Sequence, residues 1–310
     1  MKLNEKPINL LALFRALRPS QWLKNLSLFA APLLNGQLTN PILFTKSFIG
    51  FIIFCLLSSS AYLINDIADA PRDRLHPVKN KRPIASRAVS ESLAVTVSVF
   101  LLFGALSLTT LINFYFFLIS LVFIILQYSY SFFLKKQALI DIIGISSFFI
   151  IRAFAGELAT GYHLPVWIMM AVIFLSLFIA SGKRRSELVT VGRASRRALI
   201  GYGKGLLNFY TTMFAVCTLI SYSMFTFFAE PIGFQGIVHH FLLENFPNAI
   251  YRKWYMVTIL PVIIGLMRYG QLIFEMQEGE RPEDLITTDL PLLFSVLLWG
   301  LLMITIIYVL

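Results

Sequence analysis

Asn65, Asp66, Asp69 and Asp73 form an N-D-x-x-D-x-x-x-D series. On a helix, residues three and four apart share a face, so Asn65 with Asp69, Asp66 with Asp69, and Asp69 with Asp73 would present their oxygens together. Three carboxylates so placed repel one another unless a cation lies among them. Mg²⁺ suits that role, because it takes oxygen ligands, keeps several waters and commonly joins a few carboxylates to substrate phosphates. The acids run directly into Arg72, Arg74, Lys79, Lys81 and Arg82, whose side chains can hold phosphate groups through charge-assisted hydrogen bonds. Carboxylate, metal and cation together describe a site for a pyrophosphate or a multiply phosphorylated ligand. The alternative is a solvated helix end carrying loop charges of both signs.

A second basic stretch, "SGKRRSELVTVGRASRR", holds Glu187 as its one acid among six cations, Lys183, Arg184 and Arg185 first. It suits direct binding of a phosphate, and equally the excess of cations in cytoplasmic loops and their attraction to anionic lipids. In "RPSQWLKN", Gln21, Lys24 and Asn25 share a helical face, with Lys24 free to reach the headgroups. Pro71 disfavours helix at Ala70, which predicts a fresh turn at Asp73 and a contact with substrate rather than with the metal. His76 precedes Pro77 and is read as structural or substrate-contacting; His239 and His240 read as solvated loop residues rather than a metal pair.

These groups need a scaffold, and the composition says which. Of 310 residues, 57% are hydrophobic, 29 are Phe and 14% are charged, against about one-quarter charged in soluble domains. Apolar stretches recur at 20–36, 44–64, 92–110, 114–134, 138–158, 165–182, 205–228, 254–276 and 290–310, each close to the roughly 20 residues that cross a bilayer as helix. Backbone groups in lipid must be satisfied internally, and the lack of two-residue alternation excludes a barrel. The expectation is an all-α integral membrane protein of about nine transmembrane helices, forming one domain over residues 1–310. Residues 1–19 form a cytoplasmic or interfacial segment within which 8–17 make an amphipathic surface helix. The run "INLLALF" is short and leads into Arg15 and Arg18, unlike a cleavable signal peptide.

Cations cluster before the first stretch and after the second, fourth and sixth. The positive-inside rule makes that side cytoplasmic, with the N-terminus inside and the C-terminus outside. Asp141, Arg152, Glu157 and Arg268 fall within predicted spans, where charges are costly and face the bundle interior; ion pairing and substrate contact both remain open for them. Cys55 and Cys217 also fall in spans and read as buried apolar residues rather than ligands or a disulfide.

The Asn65–Asp73 series resembles the first aspartate-rich motif of the UbiA superfamily of intramembrane prenyltransferases. "LRPSQWLKNLSLFAAPL", "NDIADAPRDRLHPVKNKRPIAS", "DIIGISSFFIIRAFAG", "GKRRSEL" and "GERPEDLITTDLPL" occur in order along the chain and are similar to the decaprenyl-phosphate phosphoribosyltransferase branch. The resemblance implies a UbiA-like bundle with a cytoplasm-facing polar site in the inner membrane. It also implies attack of a polyprenyl phosphate on C1 of 5-phosphoribosyl 1-diphosphate, with loss of pyrophosphate, toward a lipid-linked arabinose donor for cell-envelope glycans.

On that reading Asp66, Asp69 and Asp73 are catalytic, and with Asn65 they hold Mg²⁺. Lys24, Asn65, Arg72, Arg74, Lys79, Lys81, Arg82, Lys183, Arg184, Arg185 and Glu187 contact substrate. The partners are the diphosphate, the lipid phosphate and membrane lipids, with no nucleic acid; a homo-oligomer is compatible with the sequence. Aromatic prenyltransferases of the superfamily carry a second aspartate-rich motif after the sixth span, where this chain has the basic stretch instead. Near Asp289 the branch often has basic residues where Thr287 and Thr288 stand here. Prenylation of an aromatic acceptor is the nearest alternative, and a non-catalytic lipid carrier or transporter a more distant one.

Overall fold

The structure, a computed structural model, describes residues 9–75, 78–190, 192, 197–230, 237–246, 248, 252–277, 279 and 282–310. Among them are twelve α-helices and no strand: α1 (Leu10–Ala16), α2 (Ala30–Leu34), α3 (Pro41–Asp73), α4 (Glu91–Leu108), α5 (Phe114–Phe132), α6 (Ile140–Thr160), α7 (Val166–Thr190), α8 (Lys204–Phe228), α9 (Ile237–Asn245), α10 (Ile259–Phe274), α11 (Pro282–Thr288) and α12 (Leu290–Tyr308). Eight are long and apolar enough to cross a membrane, namely α3 to α8, α10 with the turn that precedes it, and α12. The chain is therefore an all-α, multi-pass membrane protein. The side chains at helix starts match their positions: Asn9, Ser90, Asn113 and Asp289 each accept from a backbone N–H three residues on, satisfying donors that lipid cannot.

The first expected span differs from the other eight. Pro19–Phe29 is a 3-10 helix that passes into the short α2. Asn25, Leu28, Ala31 and Leu34 are buried at every third position, the repeat of three residues per turn. Pro32 has no N–H to offer the carbonyl of Leu28, which an α-helix would require. That carbonyl is instead approached so closely by Gly156 that a Cβ there would collide with it. Length and hydropathy alone thus support eight long helical spans, with this segment a helix of another kind.

The chain divides into two compact units, one comprising residues up to Leu26 with Ile49–Leu134, the other Ser27–Phe48 with Lys135–Leu310. In the first unit the 3-10 segment runs antiparallel to α3, since Trp22 Nε1 donates to Ser59 Oγ at 3.0 Å and Asn25 Nδ2 lies 3.2 Å from Cys55 Sγ. Ser60 and Ser98 join α3 to α4 through reciprocal hydroxyl contacts at 2.9 and 3.0 Å, as small polar residues do between membrane helices. Ala12, Ala16, Leu63, Ala70, Ile84, Val89 and Ala94 form an apolar cluster that ties α1 and the 82–89 loop to α3 and α4. On α1 the alanines face inward while Leu10, Leu11 and Phe14 are exposed, the arrangement expected of a helix lying on a membrane surface. Phe114, Tyr115 and Phe133 of the aromatic-rich stretch point outward, and Phe116 and Phe123 inward.

The second unit packs α6, α7, α8, α10 and α12 around clusters that include Phe178, Tyr269 and Ile273, and Ala153, Tyr222 and Met303. Small residues again allow close approach: Ser146 and Ser176 hydroxyls meet at 2.6 Å between α6 and α7. Tyr222 anchors the same unit through Thr258 Oγ1 at 2.5 Å and Trp299 Nε1 at 2.7 Å.

Candidate functional site

Helix α3 continues through Pro71 and ends at Asp73. The fresh turn predicted from Pro71 does not occur. Proline removes one backbone donor and crowds one carbonyl, but here it sits in the last turn, and the backbone N–H of Arg74 still reaches the carbonyl of Ala70 at 3.1 Å. As a result Asp66 and Asp73, two helical turns apart, lie on one face. Both are buried, at 3% and 5% exposure.

That face is occupied by guanidinium groups. Arg82 Nη1 donates to Asp73 Oδ2 at 2.6 Å and to Asp66 Oδ1 at 3.3 Å, bridging the two carboxylates with one nitrogen. Arg18 grips Asp66 from the other side, Nη2 to Oδ1 at 2.5 Å and Nε to Oδ2 at 3.3 Å. Its guanidinium carbon stands 5.1 Å from the centre of the Tyr62 ring, a cation–π distance. Burial opposes the charge of Arg18, and Asp66, Tyr62 and Asp73 together more than offset this, holding the group above its ordinary pKa.

The backbone at Arg18 is left-handed, with φ +55°, a conformation disfavoured for a residue with a side chain. It is held in place by its neighbours. Ser59 Oγ donates to the carbonyl of Leu17 at 2.9 Å, Tyr62 OH donates to Gln21 Oε1 at 3.3 Å, and Lys24 Nζ donates to the same oxygen at 2.6 Å. One end of the first unit therefore gathers Arg18, Gln21, Lys24, Tyr62, Asp66, Asp73 and Arg82.

The remaining sequence candidates fall into distinct places. Asn65 and Asp69 are half-buried on the same helix, Lys79 is half-buried in the following loop, and Arg72 and Lys81 are exposed. Arg74 is exposed and ties the loop down, through Glu91 at 3.0 Å and the carbonyl of Ala85 at 3.3 Å. Among the described residues no three carboxylate, imidazole or thiol side chains converge as a ready-made metal cage. The donor chemistry nonetheless fits a divalent cation: two buried carboxylates already share one positive atom, and Mg²⁺ ordinarily takes few protein oxygens, completing its shell with water and substrate phosphate.

In the second unit, Lys183 is half-buried on α7, whereas its neighbours are buried and occupied. Arg184 pairs with both Asp141 of α6 and Glu187 one turn on. Arg185 donates to Asn208 Oδ1 at 2.7 Å and to the carbonyl of Ile273 at 2.6 Å, and lies 4.3 Å from the Phe274 ring centre. Internal pairing also accounts for other charges. Arg268 binds Asp289 at 2.7 Å, Arg152 donates to the carbonyl of Phe148 at 2.7 Å, and Glu157 accepts from the N–H of Leu164 at 2.7 Å. Thr287 and Thr288 both bond back to the carbonyl of Asp284. A Cβ on Gly201 would stand 2.7 Å from that of Ala138, so this glycine serves close packing. His240 is exposed; His76, the side chain of His239, Arg193 and Arg196 lie outside the described residues.

Sequence reasoning missed Arg18 and Tyr62 as parts of the site. Arg18 stands within the quoted "LRPSQWLKN" stretch and Tyr62 four residues before Asp66, on the same face of α3, and those spacings were the available signal.

Residues 26–184 match the UbiA prenyltransferase family. The decaprenyl-phosphate phosphoribosyltransferase of Mycobacterium tuberculosis is 35% identical over 95% of this chain and 94% of its own length. That of Corynebacterium glutamicum is 32% identical over 99% of this chain and 90% of its own. Among solved structures, a UbiA homologue from Archaeoglobus fulgidus bound to GPP and Mg²⁺ superposes with a TM-score of 0.63 at 20% identity, over 88% of this chain and 99% of that one. Fold, sequence and the acidic face of α3 agree, and the chain belongs to the UbiA prenyltransferase family.

Proposed function

We propose that this chain transfers the 5-phosphoribosyl group of 5-phosphoribosyl 1-diphosphate to a polyprenyl phosphate. An oxygen of the lipid phosphate forms a bond to C1, the bond from C1 to the diphosphate oxygen breaks, and pyrophosphate leaves with the electron pair. The observation that carries this reading is the pair Asp66 and Asp73, buried on one face of α3 around a shared positive charge, with Arg18 on Asp66 from the other side. The named activity of relatives aligned over nearly the whole chain supports it.

In this reading Asp66 and Asp73, with Asn65 and Asp69 beside them, hold Mg²⁺, which would offset the charge that builds on the leaving diphosphate. The chain's cations do the rest. Arg72, Lys79, Lys81 and Arg82 bind diphosphate or 5-phosphate oxygens, Lys24 is held by Gln21 as a further phosphate contact, and Lys183, on α7 of the second unit, is assigned a phosphate contact of its own. The lipid phosphate is already ionised near neutral pH, so no general base is required, and positioning with electrostatics carries the catalysis. We assign Arg184, Arg185 and Glu187 to the framework of α7, and Arg74 to the loop.

The family match draws on both units, and we take them as one functional domain. The cations that follow the second, fourth and sixth apolar stretches of the sequence support, by the positive-inside rule, a reading in which this chemistry faces the cytoplasmic side of the inner membrane and the C-terminus lies outside. Prenyl transfer to an aromatic acceptor is disfavoured because Glu187, the one acid of the basic stretch, is committed to Arg184. The test is incubation of the solubilised full chain with radiolabelled 5-phosphoribosyl 1-diphosphate, a polyprenyl phosphate and Mg²⁺. Chelator-sensitive passage of label into the organic phase is expected. Failure of a folded protein across several prenyl lengths would return the odds to aromatic prenylation or lipid handling.

A further inference from the structure

Asp66 has two arginine partners, and they are held in different ways. Arg18 uses two nitrogens on both carboxylate oxygens, lies over Tyr62, and is set by a left-handed backbone that Ser59 and Gln21 brace. Arg82 reaches Asp66 and Asp73 through Nη1 alone among the described residues, from a side chain 27% exposed. Its backbone, however, is anchored. Arg82 N–H bonds the carbonyl of Lys79 at 3.0 Å, Ser86 N–H bonds that of Arg82 at 2.8 Å, and Ile84 and Val89 are sunk in the apolar cluster with α1 and α3. The loop is thus fixed while its guanidinium can swing, with Lys79 and Lys81 beside it.

Charge gives this difference a consequence. Asp66 and Asp73 are already matched in charge by Arg18 and Arg82, so a divalent cation entering alone must compete with a guanidinium in place between the two carboxylates. A cation arriving with diphosphate brings negative oxygens onto which Arg82 can move, exchanging one charge-assisted contact for another. Arg18, which holds both oxygens of Asp66 and lies over the Tyr62 ring, remains with Asp66.

We propose that Arg82 is a displaceable internal cation, which stands between Asp66 and Asp73 in the unloaded site and transfers to diphosphate oxygens on loading, while Arg18 stays on Asp66. This rests on the metal site proposed above. The exchange couples metal entry to diphosphate entry and disfavours occupation by metal alone. It also keeps two buried carboxylates from facing each other unpaired between turnovers, a costly arrangement.

The experiment is Mn²⁺ binding to the solubilised full chain, followed by electron paramagnetic resonance with and without pyrophosphate, for the unaltered protein, Arg82→Gln and Asp66→Asn. In the unaltered protein pyrophosphate should tighten Mn²⁺ binding about tenfold or more, and Arg82→Gln should bind Mn²⁺ alone about tenfold more tightly than the unaltered protein while gaining less from pyrophosphate. Arg82→Lys gives an independent reading should Arg82→Gln fold poorly: it keeps the charge but not the guanidinium that spans both carboxylates, and it should bind Mn²⁺ alone more tightly than the unaltered protein. Unchanged Mn²⁺ affinity in a folded Arg82→Gln, with binding lost in Asp66→Asn, overturns the displacement and spares the metal site. Undiminished binding in Asp66→Asn overturns both, and unchanged Mn²⁺ affinity in a folded Arg82→Lys overturns the displacement.

Discussion

Asp66 and Asp73 of α3 meet through one nitrogen of Arg82, which lies 3.3 and 2.6 Å from their oxygens. This depends on α3 holding its helical path through Pro71, since a break there would turn Asp73 away from Asp66. The pair is the point at which helix geometry becomes chemistry: carboxylates two turns apart act as one binding element because the helix between them is continuous.

Replacing Asp66, Asp69 or Asp73 by Asn is expected to lower turnover by at least about a hundredfold, the scale seen when a group that stabilises developing charge is removed. Asp66→Asn should also destabilise the fold, by roughly 3 kcal/mol, because Arg18 and Arg82 lose a buried partner. Label transfer and thermal melting of each variant check both effects. Wild-type rates in Asp66→Asn or Asp69→Asn would sink the metal assignment.

The eight long helices could be read from apolar length, and the acidic series from its spacing, because both are local properties. The 3-10 form of Pro19–Phe29 could not, since apolar composition suits either helix. At its end, Pro32 leaves the carbonyl of Leu28 without an α-helical donor and Gly156, more than a hundred residues away in the chain, packs against that carbonyl. Arg18 reaches Asp66 across 48 positions and Arg184 reaches Asp141 across 43. From sequence Arg18 counted only as a cation before the first span and Arg184 as a substrate-contact candidate; their acidic partners lie too far along the chain for local spacing to show them.

Gly156→Ala tests that close approach. A methyl group there meets the carbonyl of Leu28, so α6 or the first segment must shift. Overpacking of this kind costs about 1–3 kcal/mol. Gly104→Ala, which meets nothing within 4 Å, should melt at or above the unaltered temperature, and equal losses in the two variants would contradict the assignment.

Arg268 and Asp289 predict a pH dependence of stability. Hydrogen bonding from Arg268 is the main cause holding the Asp289 carboxyl below its ordinary value, with the N–H of Leu292 adding to it against a smaller effect of burial. A carboxyl with a depressed folded pKa adds stability above its unfolded value, near pH 3.9, and loses it as pH falls through the folded value. Asp289→Asn keeps a good helix N-cap, so it isolates the ion pair. Its deficit in melting temperature should be full at neutral pH and shrink below about pH 4. A deficit constant from pH 7 to pH 3 would assign the effect to packing.

Lys183 and Arg184 are adjacent on α7, and their substitutions should fail in different ways. Arg184 is 2% exposed and carries two acids, Asp141 and Glu187, so Arg184→Ala removes a buried cation from both carboxylates. Removing one partner of a buried ion pair costs about 3–5 kcal/mol, and the loss should appear first as melting at lower temperature and poor recovery of folded protein. Lys183 is half-buried. Lys183→Ala should leave melting nearly unchanged and raise KM for the phosphorylated substrates about tenfold or more, the loss of one charge-assisted contact. Paired thermal and kinetic measurements on the two variants decide the division. An Arg184→Ala protein of normal stability with impaired substrate binding would move Arg184 into the site. A Lys183→Ala protein with unaltered KM and kcat would remove Lys183 from it, leaving the acidic face of α3 and the cations of the first unit to bind phosphate.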